Sequence, residues 1–249
     1  ATGRRRRPLL DCLDQFDCGA ATPSPTERKP MKHVAALLLA GGRGTGFGSL
    51  SDVRTKAAFP VAGNYRIVDF ALSNLSHAGI RQVGIVIQYM PAPLIEHIGS
   101  GRPWDFDMAD RSLRFMTPFV GVHETRWFHG TADAIAQNLN LLNLEHVDNV
   151  LILSADHVYL MDYRKIISHH QMTGADVTMA YTSIPPERQH PRFGNLVIDE
   201  NGRVSNFVEK PPRPVSSCVS IGIFCFKLDV LRHLLSISRP ARSEEDFSL

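Results

Sequence analysis

The sequence predicts an α/β protein built on a largely parallel sheet, on three observations. From residue 33 onward, short continuous apolar runs alternate with segments whose apolar residues recur every three to four positions. The runs show no in/out alternation, so their strands are buried on both faces, as in sheets covered by helices on either side. With 43% hydrophobic residues in 249, the chain has the apolar surface for one large core or two small ones.

The first apolar run is 34–40, and a glycine-rich turn leaves it. Asp69 is placed to cap a helix whose Ala71, Leu72, Leu75 and Ala78 share one face, with Gly79 placed to end it. The next strand is 83–87. Within 131–144, Ile135, Leu139 and Leu142 fall at helical spacing, and 150–153 is again a continuous apolar strand. After Asp176 the rhythm changes to strands: 177–182, then 195–198 and 204–209 flanking Asp199-Glu200-Asn201-Gly202, whose Asn-Gly is a hairpin signal. A strand over 219–226, with Cys225 packed inside it, and a helix over 229–235 complete the pattern.

Composition excludes several classes. The formal charge is +2, and the first 30 residues hold six Lys or Arg against four Asp or Glu, so the remainder is neutral. Nucleic-acid binding by counterion release, which needs a cationic face, has no support. The longest apolar run, seven residues, falls far short of the roughly 20 that cross a bilayer, so no membrane partner is expected. Arg4 to Arg7 are not followed by an apolar signal core. Residues 1–30 end in a Pro-, Ser- and Thr-rich stretch and read as a disordered leader, with 31–249 as the folded domain. Cysteines at 12, 18, 218 and 225 match neither zinc-site spacing nor a dense disulfide framework, and reduced thiols in a cytoplasmic protein are the default.

Two features carry chemistry. Residues 39–48 leave a buried strand and contain five glycines, a turn whose bare backbone N–H groups can approach a phosphate. It is not a Walker A loop, since no Lys-Ser/Thr follows Gly46, and no GxGxxG register fits. Asp156 stands just past the carboxyl end of the strand 150–153, where open α/β sheets bind ligands and a carboxylate can hold Mg²⁺ against phosphates or simply cap a helix. Trp127 and Phe128 suit a core or a ligand platform equally. His129 and His157 show no ligand cluster and read as structural or supporting residues.

The order of motifs then becomes informative. Leu39-Ala-Gly-Gly-Arg-Gly-Thr45, Tyr65-Arg-Ile-Val-Asp-Phe-Ala-Leu-Ser-Asn74, Gln88-Tyr89, Trp127-Phe-His-Gly-Thr-Ala-Asp-Ala134, Asp156-His157, Phe193-Gly194, Phe207-Val-Glu-Lys-Pro211 and Ser220-Ile-Gly222 run in sequence over most of the chain. Together they resemble the sugar-1-phosphate nucleotidyltransferases, most closely the ADP-glucose-forming branch of glycogen and starch synthesis. The resemblance implies a Rossmann-like, mostly parallel mixed sheet flanked by helices, and attack of glucose 1-phosphate on the α-phosphorus of ATP, yielding ADP-glucose and pyrophosphate. It also implies that Gly41, Gly42, Gly44 and Thr45 hold the ATP phosphates, with Gln88, Gly130 and Thr131 near the adenine. Asp156, joined by Asp246, would ligate Mg²⁺. Phe128, Gly194, Glu209, Lys210 and Ser220 would bind glucose 1-phosphate, and Lys56, Asp156 and Lys210 would carry catalysis.

The chain departs from that pattern at identifiable places. The family has Arg two positions after Gly44, then Leu, where Gly46 and Phe47 stand here. Loss of that cation would cost on the order of 10² to 10⁴ in rate. Arg54 and Lys56 keep the family's basic positions, with Ala57 for the usual Pro. Phe128 replaces Tyr, and Ser154-Ala155 replaces a small residue and Gly. Val53 occupies a place where activator-sensitive relatives often carry Lys. The family continues into a left-handed β-helix that this chain lacks, so the expectation is a C-terminally truncated catalytic domain, with homo- or hetero-oligomers left open. A non-catalytic regulatory or sugar-nucleotide-binding partner subunit is the alternative reading.

Overall fold

The computed structural model describes residues 31–42, 54–120 and 125–237. Residues 1–30, on which the expected leader falls, with Cys12 and Cys18, and the positions Gly44, Thr45, Gly46, Phe47, Val53 and Asp246 lie outside the described residues.

The first strand, β1 (Val34–Leu39), is buried on both faces: Val34, Ala36 and Leu38 enter one apolar cluster while Ala35 and Leu37 enter another. The small hairpin β2 (Pro60–Val61) and β3 (Tyr65–Arg66) leads into helix α1 (Ile67–His77). Asp69 is not its cap. The cap is Arg66, three residues earlier, and buried Asp69 accepts from the Arg66 N–H at 3.0 Å and faces His97 Nε2 at 2.7 Å. Gly79 does follow the helix end, in the left-handed conformation (φ 73°) that glycine adopts without strain.

Beyond it come β4 (Gln82–Val86), α2 (Pro91–Ile98), β5 (Ser112–Met116), the pair β6 (Phe119–Val120) and β7 (Thr125–Arg126), and α3 (Thr131–Asn138). The helix expected over 131–144 stops at Asn138, whose side-chain amide donates to the Ala134 carbonyl at 2.8 Å, and a tighter turn, Leu139–Leu141, follows. Leu142 is still buried, but in extended backbone. The remaining elements are β8 (Asn149–Ser154), α4 (Tyr163–Thr173), β9 (Val177–Ser183), β10 (Asn195–Ile198), β11 (Val204–Val208), β12 (Cys218–Lys227) and α5 (Leu228–Ile237).

Eight of these strands form one mixed sheet in the order β11-β10-β12-β8-β1-β4-β5, with β9 also paired to β12. Pairing is parallel from β8 through β1 and β4 to β5, and antiparallel wherever β12 or β10 takes part. Helices α1, α2 and α4 cover one face with residues such as Leu72, Leu94 and Ile167, while α3 and α5 cover the other with Ile135 and Leu231. The result is the three-layer arrangement that continuous apolar strands require. Cys225 lies in β12, and full burial pushes its thiol pKa up to about 12. No helix among the described residues is long and apolar enough to cross a membrane.

One irregularity matters for the site. The register of β12 shifts between Ser220 and Ile223; before the shift the strand pairs with β10, and after it with β8. Gly222 sits in the shift at φ 66°, as expected of a glycine that kinks a strand.

Candidate active site

At the carboxyl ends of β1 and β8 the chain encloses a cleft of about 290 Å³. Parallel strands place their outgoing turns on one edge of the sheet, so residues distant in sequence meet there. Gly41 and Gly42, leaving β1, form one wall. A side chain at Gly41 would put its Cβ 3.3 Å from the Gln88 backbone nitrogen, so glycine lets this turn lie against the segment leaving β4. Gln88 donates through Nε2 to the Phe128 carbonyl at 3.3 Å. Gly130 and Thr131, at the start of α3, complete that side, and the Asp133 carboxylate anchors the turn by accepting from the His129 N–H at 2.9 Å.

Phe128 lines the same cleft beside Gln88 and is 7% exposed, with its ring in the core. Trp127 is 49% exposed and stacks on Tyr89 at 6.1 Å, so of the two adjacent aromatics only Phe128 is a core residue.

Lys56 and Asp156 face each other in the cleft, Nζ to Oδ2, at 3.5 Å. Lys56 opens a short turn whose Ala57 and Ala58 are buried, which fixes where its side chain leaves the core. Asp156 follows β8 by two residues. Its Oδ1 accepts from Ser154 Oγ at 2.6 Å and lies 3.3 Å from His157 Nδ1. The His157 hydrogen bond, with Ser154 and the Lys56 charge adding to it against partial burial, holds the carboxyl well below the usual carboxylate range. Asp156 is therefore an anion at any working pH.

A second group adjoins the first through β12. Ser220 N–H donates to the Gly194 carbonyl at 2.9 Å. A Cβ on Gly194 would lie 2.8 Å from Phe207 Cζ and 3.0 Å from Glu209 Oε2, so Gly194, Glu209 and Ser220 are immediate neighbours. Lys210 pairs with Glu209 at 3.1 Å and holds a left-handed backbone (φ 46°), unusual for a residue with a side chain. Gly222 links the two groups: a Cβ there would meet Ser154 Cβ at 3.1 Å.

Of the residues singled out from sequence, Gly41, Gly42, Lys56, Gln88, Phe128, Gly130, Thr131 and Asp156 line one cleft, and Gly194, Glu209, Lys210 and Ser220 form the neighbouring group. Gly44, Thr45 and Asp246 are outside the described residues. Ser154 and Gly222 belong to the site as well. A glycine inside the strand pattern 219–226 was a readable signal of a bulge; the role of Ser154 became visible only once Asp156 was placed. Among the described residues no three His, Cys, Asp or Glu side chains gather as a ready metal cage.

Comparison with known proteins bears on this geometry. Residues 35–249 match the family described as nucleotidyl transferase. The chain is 44% identical over 218 residues to a glucose-1-phosphate adenylyltransferase of Thermotoga neapolitana, covering 87% of this chain and 51% of that protein. It is 42% identical over 217 residues to a protein of the same name from Desulfitobacterium hafniense, with coverages of 87% and 54%. The chain thus spans about half the length of these relatives. A solved putative glucose-1-phosphate thymidylyltransferase from Bacillus anthracis, in complex with a sucrose, shares the fold at a TM-score of 0.69 and 20% identity, covering 85% of this chain and 78% of that one.

Proposed function

Because the chain belongs to the nucleotidyl transferase family, we propose that it is the catalytic part of a glucose-1-phosphate adenylyltransferase. The reaction would join ATP and glucose 1-phosphate into ADP-glucose and release pyrophosphate, as part of cytoplasmic glycogen or starch synthesis. The observation that carries this reading is the Lys56–Asp156 pair set in a glycine-walled cleft beside the Gly194–Glu209–Lys210–Ser220 group. One compartment suits a nucleotide and the other a sugar phosphate. The 38–44% identity to proteins named for this activity supports the same choice of substrates.

Nucleotidyl transfer needs positioning and charge neutralisation more than a covalent nucleophile. Backbone N–H groups at Gly41 and Gly42, with Gly44 and Thr45 beyond them, would receive the triphosphate. Gln88, with Gly130 and Thr131, would hold the adenine. Glu209 would accept from sugar hydroxyls while Lys210 turns to the sugar's phosphate, which requires the present Glu209–Lys210 pair to open. Ser220 and Gly194 would shape the floor beneath the sugar, and Phe128, which lines the cleft beside Gln88, would meet glucose 1-phosphate from that side.

Magnesium fits the residues present. Asp156 is an ionised oxygen donor, 46% exposed on the cleft wall, and Mg²⁺ is commonly held by one or two carboxylates, with phosphates and water as its other ligands. Asp156, with Asp246, would hold it, and the bound ion would supply charge neutralisation on the triphosphate as pyrophosphate leaves. Lys56 would bring a further cation to the same phosphates.

Incubating the chain with ATP, glucose 1-phosphate and Mg²⁺ should release pyrophosphate and form ADP-glucose. If neither product forms, and Gly46→Arg restores neither, the enzymatic reading fails. Gly46 and the missing hydroxyl at Phe128 favour the second reading, a partner subunit that binds sugar nucleotide without turnover. That subunit would show ADP-glucose affinity in calorimetry and would change the activity of a complete homologue on mixing.

A further inference from the structure

We infer that Ser154 and His157 are positioning residues that grip the Asp156 carboxylate by one oxygen and leave its other oxygen to the cation. The inference rests on the reading of Asp156 as the metal-holding acid. Two donors converge on Oδ1, Ser154 Oγ at 2.6 Å and His157 Nδ1 at 3.3 Å, whereas among the described residues Oδ2 meets Lys56 Nζ at 3.5 Å. A carboxylate only accepts, so the serine must donate its O–H and the histidine must carry its proton on Nδ1. His157 Nε2 is buried with no partner among the described residues, which suits that tautomer: it leaves a bare ring nitrogen there rather than an unpaired N–H.

Each gripping residue is itself held. Ser154 is the last residue of β8, in register with Leu39 of β1, and its Cβ abuts the bare Gly222 backbone. The His157 ring stacks on Tyr159 with centroids 4.4 Å apart and planes 22° from parallel. Tyr159 in turn bonds through its hydroxyl to Tyr163, which is fully buried on α4, and its carbonyl accepts from Asn74 Nδ2 on α1 at 3.2 Å. A chain of contacts therefore runs from two core helices to one carboxylate oxygen. With Oδ1 saturated by the protein, Asp156 presents Oδ2 as a single-oxygen ligand, and Lys56 stands where an incoming cation must displace it. Residues that orient a metal ligand in this way are commonly worth about 10- to 100-fold in metal affinity.

The test uses Mn²⁺ as a paramagnetic probe, titrated with and without ATP and followed by electron paramagnetic resonance. The wild type should bind Mn²⁺, and Asp156→Asn should lose that binding. Ser154→Ala, which keeps the Cβ beside Gly222, and His157→Phe, which keeps a ring on Tyr159, should each weaken Mn²⁺ about tenfold. His157→Asn, which returns an N–H near the Nδ1 position, should recover most of the loss. Melting temperatures of the variants should stay within a few degrees of wild type, which separates positioning from folding. Unchanged Mn²⁺ affinity in Ser154→Ala and His157→Phe, or an Asn variant no better than Phe, overturns the inference. So does Mn²⁺ binding that is absent in the wild type or survives Asp156→Asn. If the Mn²⁺ pattern appears but the wild type makes no ADP-glucose, the functional reading falls and this inference stands.

Discussion

Lys56 Nζ and Asp156 Oδ2 stand 3.5 Å apart in the cleft although one hundred residues separate them in the chain. The sheet order explains the encounter. Because β8 lies directly beside β1, the segments that follow the two strands emerge side by side on one edge. An ammonium and a carboxylate left this close and partly exposed contribute about 0–1 kcal/mol to stability, so folding gains little from the pair.

Lys56→Met should therefore separate activity from stability. The melting temperature should move by less than about 4 °C, since 1 kcal/mol corresponds to roughly 2–4 °C in a domain of this size. The rate of pyrophosphate release at saturating substrates should fall by about 10²- to 10³-fold if the ammonium stabilises charge developing on the phosphates. Melting curves beside steady-state kinetics check both halves; a large melting shift with a modest rate change would make Lys56 a structural residue.

Gly194→Ala tests the second group. The new Cβ would fall 2.8 Å from the Phe207 ring, closer than real Cβ atoms come, and 3.0 Å from Glu209 Oε2, tight enough that this carboxylate, at the end of a flexible side chain, must shift. Its displacement should raise KM for glucose 1-phosphate about tenfold or more and leave KM for ATP within about twofold, because one lost hydrogen bond to a charged group is worth about 1.5–3 kcal/mol. Equal rises in both KM values would show that the two compartments are not separate.

The sequence made the central strands legible because their apolar runs are continuous, as at Val34–Leu39 and Asn149–Ser154, whereas the edge strand β5 (Ser112–Met116), whose run Arg114 interrupts, passed unread. What it hid has physical causes. Helix α4 buries Tyr163, Ile166, Ile167 and His170, so half of its inward face consists of residues with polar atoms that an apolar template passes over. Helix α2 is eight residues long with prolines at 91 and 93, and its signal resembles a loop. Helix α1 starts three residues before the place that Asp69 suggests, because Asp69 imitates a cap while its carboxylate reaches back from the third helical position to the Arg66 N–H. In the site, the motifs supplied residues that the fold brings to one sheet edge, and Gly222 marked a bulge in β12, but that the bulge abuts Ser154 follows from the pairing of β12 with β8, which no local pattern encodes.

His170 on α4 gives the chain a pH-dependent stability with a definite sign. The residue is 1% exposed, with Nδ1 2.8 Å from Thr178 Oγ1 and Nε2 buried without a partner among the described residues. Burial, reinforced by the Lys227 and His169 charges and opposed by Asp176, lowers its pKa below the usual histidine value of about 6.5. Between the folded and unfolded values the unfolded chain therefore binds a proton that the folded chain refuses, so stability rises with pH across that window. The contribution is complete above about pH 6.5 and is lost as the pH falls toward the folded value. His170→Asn keeps an amide donor near Thr178 but cannot take up the proton. Melting temperatures recorded from pH 7.5 to pH 5 should thus fall less steeply in the variant than in the wild type, and the two curves should run parallel above about pH 7. Parallel curves throughout would mean that His170 protonates as readily in the fold as outside it, and that burial of the α4–β9 contact does not hold the ring neutral.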